Sequence, residues 1–101
     1  MMLPQNRRPT PPGEILRYEF FEPLGLSQAA LAEALGITRV RLSEILRGKR
    51  SITPDTALRL ARFFGTTPEF WLGLQMDLDL WETWQAHGEK YNSIKPLKDA
   101  A

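Results

Sequence analysis

The chain has 101 residues, of which 43% are hydrophobic and 25% charged, and its formal net charge is +1. This length is enough for one small domain with a single core. The absence of cysteine excludes disulfides, thiol catalysis and cysteine-ligated zinc. No apolar run is long enough to span a membrane, and the first residues lack the apolar segment of a secretory signal. We therefore expect a cytoplasmic protein.

Residues 1–12 hold four prolines and two adjacent arginines, a composition typical of a flexible arm. From Gly13 onward apolar residues recur at helical spacing, and Pro23 with Gly25 ends that pattern. Its apolar residues are Ile15, Leu16, Phe20 and Leu24. The sequence therefore predicts a first helix directly after a flexible Pro-rich N-terminal arm.

Cap signals mark four further helices. Each begins with a serine or threonine that can accept a hydrogen bond from the first turn, and the last two add a proline at the first helical position. These capping residues are Ser27, Thr38, Thr53 and Thr67, and glycines follow at Gly36, Gly48 and Gly65. No stretch alternates apolar and polar residues over the length of a strand. The predicted fold class is all-α, a five-helix bundle, with a compact domain over residues 13–87 and a C-terminal tail over residues 88–101.

The second and third predicted helices are separated only by Gly36-Ile37-Thr38. So short a connection forces a sharp turn, and Gly36 permits a positive φ there. Apolar residues of both helices can share one buried face: Leu31, Leu35, Ile37, Leu42, Ile45 and Leu46. This is the arrangement of a helix-turn-helix, whose second helix enters the major groove of DNA. Helix spacing alone fits an αα-hairpin with solvated polar faces equally well.

Positive charge is concentrated on the third helix and the loop after it. Residues 38–50 carry five basic residues and one acid, whereas residues 66–101 carry three lysines and six acids. The polar residues begin at the N-terminal end of the third helix, which is the end that meets base edges in this motif. These features favour DNA binding over a simple hairpin. The predicted DNA-binding residues are Gln28, Thr38, Arg39, Val40, Arg41, Ser43, Lys49 and Arg50.

The chemistry of three of these side chains fits base edges. Arg39 or Arg41 is expected to donate two hydrogen bonds to guanine, which is the commonest specific contact. Val40 is expected to contact a thymine methyl. Glu44, the one acid of this segment, fits either a cytosine contact or solvation, and we favour solvation.

The remaining predicted contacts fit the DNA backbone. Gln28 lies at the positive end of the second helix, where phosphate binds favourably. The cations at residues 49–50 follow the third helix in a loop that can grip phosphate. The hydroxyls of Thr38 and Ser43 can donate either to phosphate or to a base edge.

Apolar residues on the fifth predicted helix exceed the single stripe that packing on a small bundle requires. Phe70 and Trp71 are expected in the core. The surplus at Leu78, Trp81 and Trp84 is more than a monomer ordinarily exposes, so we expect these residues to form the interface of a homodimer. Such a dimer also fits DNA binding, because it can read two half-sites one helical turn apart.

The sequence contains no recognisable catalytic constellation. His87 is the only histidine, so it cannot build a metal site of known spacing, and neither Ser27 nor Ser43 has a histidine placed to activate it. There is no glycine-rich phosphate loop. We therefore predict no enzymatic activity, no cofactor and no bound metal.

Gln28, Ala32, Gly36, Leu42 and Ile45 resemble the pattern of the Cro/repressor (XRE-like) helix-turn-helix family. The stretches PGEIL, TPDTALRLA and GTTPEFWL are further similar to the HigA-type antitoxins of bacterial toxin–antitoxin modules. The resemblance covers residues 8–81. It implies a lambda-repressor-like helix-turn-helix in a cytoplasmic homodimer that represses its own operon. It also implies a protein partner, a RelE-like mRNA-cleaving toxin that the chain neutralises.

A toxin that acts on RNA is expected to be basic, and the first helix offers it three acids, Glu14, Glu19 and Glu22. The arm and the tail have few apolar residues, so we expect a folded surface rather than a disordered segment to bind the toxin. Two alternatives remain open: a stand-alone repressor without a toxin partner, and a protein-interaction module that does not bind DNA. Operator binding excludes the second alternative, and the neighbouring gene decides the first.

Overall fold

The computed structural model describes residues 7–98, which form five helices and no strand. Helix α1 begins as an α-helical turn, Pro12–Ile15, and continues as a π-helix, Leu16–Phe21. The others are α2 Gln28–Leu35, α3 Arg39–Leu46, α4 Pro54–Phe64 and α5 Pro68–Asn92. The predicted all-α, five-helix fold is confirmed. None of these helices combines the length and the apolar composition that crossing a membrane requires.

The four predicted capping residues do cap their helices. Each hydroxyl accepts a hydrogen bond from the backbone N–H three residues later, at 3.0 Å for Ser27 and Thr38, 3.3 Å for Thr53 and 3.1 Å for Thr67. These bonds satisfy donors that the start of a helix otherwise leaves unpaired. At the end of α2, Gly36 has a φ of +71°, a left-handed conformation that glycine adopts without steric cost.

The core receives fully buried side chains from every helix. They are Leu16 of α1, Leu31 of α2, Leu42 of α3, Leu60 of α4 and Trp71 of α5. The indole N–H of Trp71 donates to Thr66 at 2.7 Å, so its polar atom is paired. Phe70, also predicted in the core, packs edge-on against Trp71 with the ring centroids 5.0 Å apart. It nevertheless remains 39% exposed, so the prediction is right for Trp71 and wrong for Phe70, which lies at the rim.

Helix α1 differs from the predicted helix in its winding. In the π-helical part the backbone N–H of Glu22 donates to the carbonyl of Arg17, five residues earlier, at 2.9 Å. This wider turn places Phe21 on the same buried face as Leu16. The helix ends before Leu24, which is 61% exposed. The prediction that Leu24 belongs to the apolar face is therefore wrong, because it assumed a longer helix of regular α-helical spacing.

The start of α1 packs directly on the end of α3. Pro12 and Gly13 are buried. A methyl group on Gly13 would collide with the carbonyl oxygen of Ile45 and approach that of Leu46 to 2.9 Å. Pro12, predicted to lie in the flexible arm, is instead the first residue of α1. Residues 1–6 of the predicted arm lie outside the described part of the chain.

Helix α5 is 25 residues long and extends the molecule to 54 Å in one direction, against 22 and 21 Å in the other two. Its buried residues, Trp71 and Leu78, both lie in its N-terminal half. The helix continues to Asn92 and so crosses the predicted boundary between domain and tail at residues 87–88. Residues 99–101 of the predicted tail are not among the described residues.

Candidate nucleic-acid interface

The N-terminal end of α3 presents two side chains that were predicted to read bases. Arg39 is exposed, and Val40 is 68% exposed. On the opposite face Leu42 and Ile45 are buried in the core, which fixes the rotation of the helix about its axis. Thr38 caps the first turn. The face that was predicted to read bases therefore points into solvent, on a helix whose start and rotation are both set by the fold.

Arg41, the other predicted guanine reader, is held by α4. Its guanidinium donates to the carboxylate of Asp55 at 2.8 Å and to the hydroxyl of Thr56 at 2.7 Å. The Arg41 side chain is 26% exposed. Arg39, in contrast, makes no side-chain hydrogen bond within residues 7–98. The sequence left the two arginines as equal candidates for the guanine contact. In the structure Arg41 is hydrogen-bonded to α4, whereas Arg39 is not.

Asp55 and Arg59 of α4 support this end of the helix-turn-helix and were not among the predicted site residues. Asp55 accepts a second hydrogen bond, from Nε of Arg59 at 2.9 Å. Hydrogen bonds from Arg41 first, and then from Arg59, hold the pKa of the Asp55 carboxyl below its ordinary value. The stretch TPDTALR contains the pair at positions i and i+4, which is the signal that could have indicated it.

The residues predicted to contact phosphate lie on α2, on α3 and in the loop after α3. Gln28 is half-buried at the first position of α2, beside the capping residue Ser27. Ser43 is half-buried on α3, and Lys49 is exposed in the loop after it. Gly48 precedes Lys49 with a φ of +73°, which lets the chain turn away from the helix.

Arg50 and Glu44 form an ion pair at the C-terminal end of α3. Nε and Nη2 of Arg50 donate to one carboxylate oxygen of Glu44 at 3.0 and 2.8 Å. The Glu44 side chain is still 32% exposed, so it is partly solvated as predicted, and the loop adds an ion pair that the sequence did not indicate. Arg50 stays 49% exposed, so it remains on the surface next to Lys49.

The three residues predicted to form a dimer interface are not equivalent. Leu78 is only 7% exposed, so it belongs to the core of the protomer, and its placement at an interface is wrong. Trp81 is half-buried, and its indole N–H is buried without an acceptor among the described residues. Trp84 is half-buried and stacks on Tyr91 with the ring centroids 5.9 Å apart.

A different face of α5 carries the exposed apolar surface. Met76 is 57% exposed and Leu80 is 41% exposed, and Leu72, one turn earlier, is half-buried. These residues are spaced four apart, so they form one stripe along the helix. The side chains of this stripe line a shallow groove together with Ile52.

The three acids predicted to bind a toxin are all exposed on or beside α1. Glu22 also lies 3.7 Å from Arg17, a separation at which an ion pair is weak. Tyr18, which is 61% exposed, lies between Glu14 and Glu22 at helical spacing. The surface therefore combines three negative charges with an exposed aromatic ring.

Comparison with known proteins places the chain in a family. A helix-turn-helix family model matches residues 18–71, from α1 to the start of α5. Antitoxin HigA-1 of Vibrio cholerae is 44% identical over 92 residues, covering 91% of this chain and 87% of that protein.

Two solved structures share both fold and sequence with the chain. An addiction module antidote protein of a HigA family from Coxiella burnetii has a TM-score of 0.84 and 48% identity, covering 90% of this chain and all of that one. Antitoxin HigA of Pseudomonas aeruginosa, solved with the higBA promoter, has a TM-score of 0.84 and 42% identity. It covers 89% of this chain and 99% of its own. These relatives are antitoxins and not enzymes, in agreement with the prediction for this chain. The chain belongs to the HigA-type antitoxins of the XRE-like helix-turn-helix family.

Proposed function

We propose that the chain is a cytoplasmic antitoxin that binds operator DNA sequence-specifically and represses its own operon. The observation that carries the proposal is the exposed N-terminal end of α3, where Arg39 and Val40 project from a helix fixed by its buried face. The Pseudomonas aeruginosa relative, solved with promoter DNA, supports the same use of the fold.

In this proposal α3 lies in the major groove, where some side chains contact bases and neighbouring ones contact phosphates. Arg39 donates two hydrogen bonds to a guanine, and Val40 contacts a thymine methyl. Lys49 and the positive N-terminal end of α2 at Gln28 bind phosphates on either side. Arg50 lies at the surface beside Lys49, but its ion pair with Glu44 offsets its charge, so it adds less positive potential to the loop than Lys49 does.

Fluorescence anisotropy with the DNA upstream of the gene tests the DNA-binding role. Arg39→Ala should cost about 1–3 kcal/mol on the operator and relax the preference at one base position. Lys49→Ala should weaken binding to all sequences equally and lower the salt slope by about one. Lys90→Ala, on the far part of α5, is the control and should change neither quantity. An unchanged base preference in Arg39→Ala would contradict the proposed reading face.

We further propose that the active form is a homodimer held by α5. The apolar stripe of the exposed Met76 and Leu80 and the half-buried Leu72 is the surface that a second copy covers, with Trp84 at its margin. Two copies joined along α5 carry two copies of α3. Both can enter successive major grooves if they lie about 34 Å apart, which is one turn of DNA. The proposed interface thus replaces Leu78, which the protomer itself buries.

The proposed protein partner is a RelE-like mRNA-cleaving toxin. The surface of Glu14, Glu19, Glu22 and Tyr18 fits a basic partner with an apolar pocket, because it offers negative charge around one exposed ring. Charge complementarity of this kind steers association and excludes wrong partners.

Co-expression with the product of the adjacent gene tests the toxin role. Replacing Glu14, Glu19 and Glu22 by lysine should abolish neutralisation of that product while operator binding persists. A variant that lacks residues 1–9 should neutralise as well as the full chain does. If removing residues 1–9 abolished neutralisation, the N-terminal segment and not the folded surface would bind the toxin. A neighbouring gene without toxic activity would favour the alternative of a stand-alone repressor.

A further inference from the structure

The first two turns of α4 are joined to α3 and to the end of α2 by side-chain hydrogen bonds. One carboxylate oxygen of Asp55 accepts from Arg41 of α3 at 2.8 Å and from Arg59 at 2.9 Å. Arg41 also donates to Thr56, which is only 2% exposed, at 2.7 Å. The guanidinium of Arg41 is thus fixed by two acceptors on α4.

Arg59 extends this connection to the turn between α2 and α3. Its Nη1 atom donates to the carbonyl of Leu35 at 2.9 Å and to that of Gly36 at 3.3 Å. A methyl group on Gly36 would lie 3.0 Å from the same Nη1 atom. Gly36 therefore serves twice, because it adopts a left-handed conformation and also leaves room for this guanidinium.

These hydrogen bonds are not explained by a contribution to folding stability. The Asp55 side chain is 58% exposed, and exposed ion pairs contribute little to folding because water and salt screen them. The consequence of the hydrogen bonds is geometric instead. They determine where the guanidinium of Arg41 can go, at the end of α3 that meets DNA.

We propose that Asp55 is a specificity-determining positioning residue, which holds Arg41 off the bases and leaves Arg39 as the arginine that reads DNA. The proposal rests on the DNA-binding function proposed above. To contact a base, Arg41 would have to break its hydrogen bonds to Asp55 and Thr56. Two new hydrogen bonds to guanine would only replace these two, so the contact would add no net hydrogen bonding. Arg39 gives up no such bond when it contacts guanine.

Asp55→Asn tests this role, because it removes the charge that holds Arg41 while keeping the shape of the side chain. Base preference is measured by competition with operators substituted one position at a time. The variant should gain a guanine preference of roughly tenfold at one additional position, as one bidentate arginine contact provides. Adding Arg41→Ala to Asp55→Asn should remove the new preference. Glu33→Gln, which removes one charge from the exposed face of α2, is the control and should leave base preference unchanged.

Arg41→Ala alone gives a second, independent test that does not depend on the folding of Asp55→Asn. It should leave the base preference of the parent protein unchanged at every position, in contrast to Arg39→Ala. Loss of a guanine preference in Arg41→Ala would overturn the proposal, as would a folded Asp55→Asn variant with unchanged preference. Equal binding of operator and scrambled DNA by the parent protein would instead refute the proposed DNA-binding function itself.

Discussion

The helix-turn-helix region from α2 to α4 and the C-terminal half of α5 differ in where their apolar side chains go. Leu31, Leu42 and Leu60 of the first region are completely buried within the protomer. Beyond Leu78, α5 has no buried residue, and Leu80 is 41% exposed. A helical segment that buries few of its apolar side chains gains little stability from packing. The comparison indicates that the first region is complete in one chain, whereas the second presents a surface that a partner can cover.

Replacing one tryptophan in each region should give the largest contrast in stability. Trp71→Ala empties a fully buried site and removes the hydrogen bond to Thr66, so it should lower the free energy of unfolding by about 3–5 kcal/mol. Trp84→Ala, which removes a ring that is half-buried along its own helix, should cost less than about 1 kcal/mol in the protomer. Urea denaturation at one fixed protein concentration measures both. Equal losses would show that the two regions are equally integrated into the core.

A charge on the exposed stripe of α5 should disrupt assembly without unfolding the protomer. Leu80→Glu replaces a side chain whose burial in a dimer contributes about 2 kcal/mol, so it should weaken dimerisation roughly 30-fold or more. Sedimentation velocity over a range of concentrations measures the change. Leu58→Glu is the matched control, because Leu58 is 60% exposed on α4, outside the stripe. A monomeric parent protein at micromolar concentration would remove the basis of the proposed dimer.

Within the helix-turn-helix region, some features can be predicted from the sequence and others cannot. The start of α4 is predictable because the cap depends only on Thr53 and on the backbone that follows it. The pairing of Arg41 with Asp55 is not, because the two residues are 14 positions apart on different helices. The charges are visible in the sequence, but the choice of partner depends on how α3 and α4 pack. The sequence alone therefore could not show which of Arg39 and Arg41 is free to contact guanine.

Winding and burial on the flanking helices are hidden from the sequence for a similar reason. The residues from Leu16 to Phe21 fit an ordinary α-helix, and only packing selects the wider turn that buries Phe21. On α5 the apolar residues outnumber the positions that the core can accept. The sequence therefore shows that α5 has more apolar residues than the core needs. It does not show that Leu78 is buried and Met76 exposed.

Two glycine substitutions should change stability in opposite directions. Gly13→Ala would drive a methyl group into the backbone carbonyls of Ile45 and Leu46, so it should destabilise the protein by about 1–3 kcal/mol. On α5, the methyl group of Gly73→Ala would meet no atom within 4 Å other than its chain neighbours and the backbone of its own helix, so the substitution should stabilise the protein by about 0.5–1 kcal/mol. Thermal unfolding measures both effects. A neutral Gly13→Ala would mean that α1 and α3 can separate without cost.

The smallest expected effect is the dependence of stability on pH through Asp55. Arg41 and Arg59 lower the pKa of this carboxyl in the folded protein relative to the unfolded chain, where the ordinary value of 3.8 applies. A lowered pKa stabilises the folded state above the unfolded value, and the contribution is lost as the pH falls through the folded value. Stability relative to Asp55→Asn should therefore be constant from pH 8 to about pH 5 and then decline towards acid.

Asp77→Asn is the control for this titration, because it removes an exposed carboxylate that lies within ion-pair distance of no basic side chain in residues 7–98. Chemical denaturation of the parent protein and both variants at pH 7, 5 and 3 gives the comparison. The parent protein and Asp55→Asn should converge in stability at the lowest pH, because protonation of Asp55 then removes the charge that the substitution removes. A difference that instead grows towards acid would mean that the arginines do not stabilise the ionised carboxylate, and the hydrogen bonds that hold Arg41 would lose their electrostatic basis.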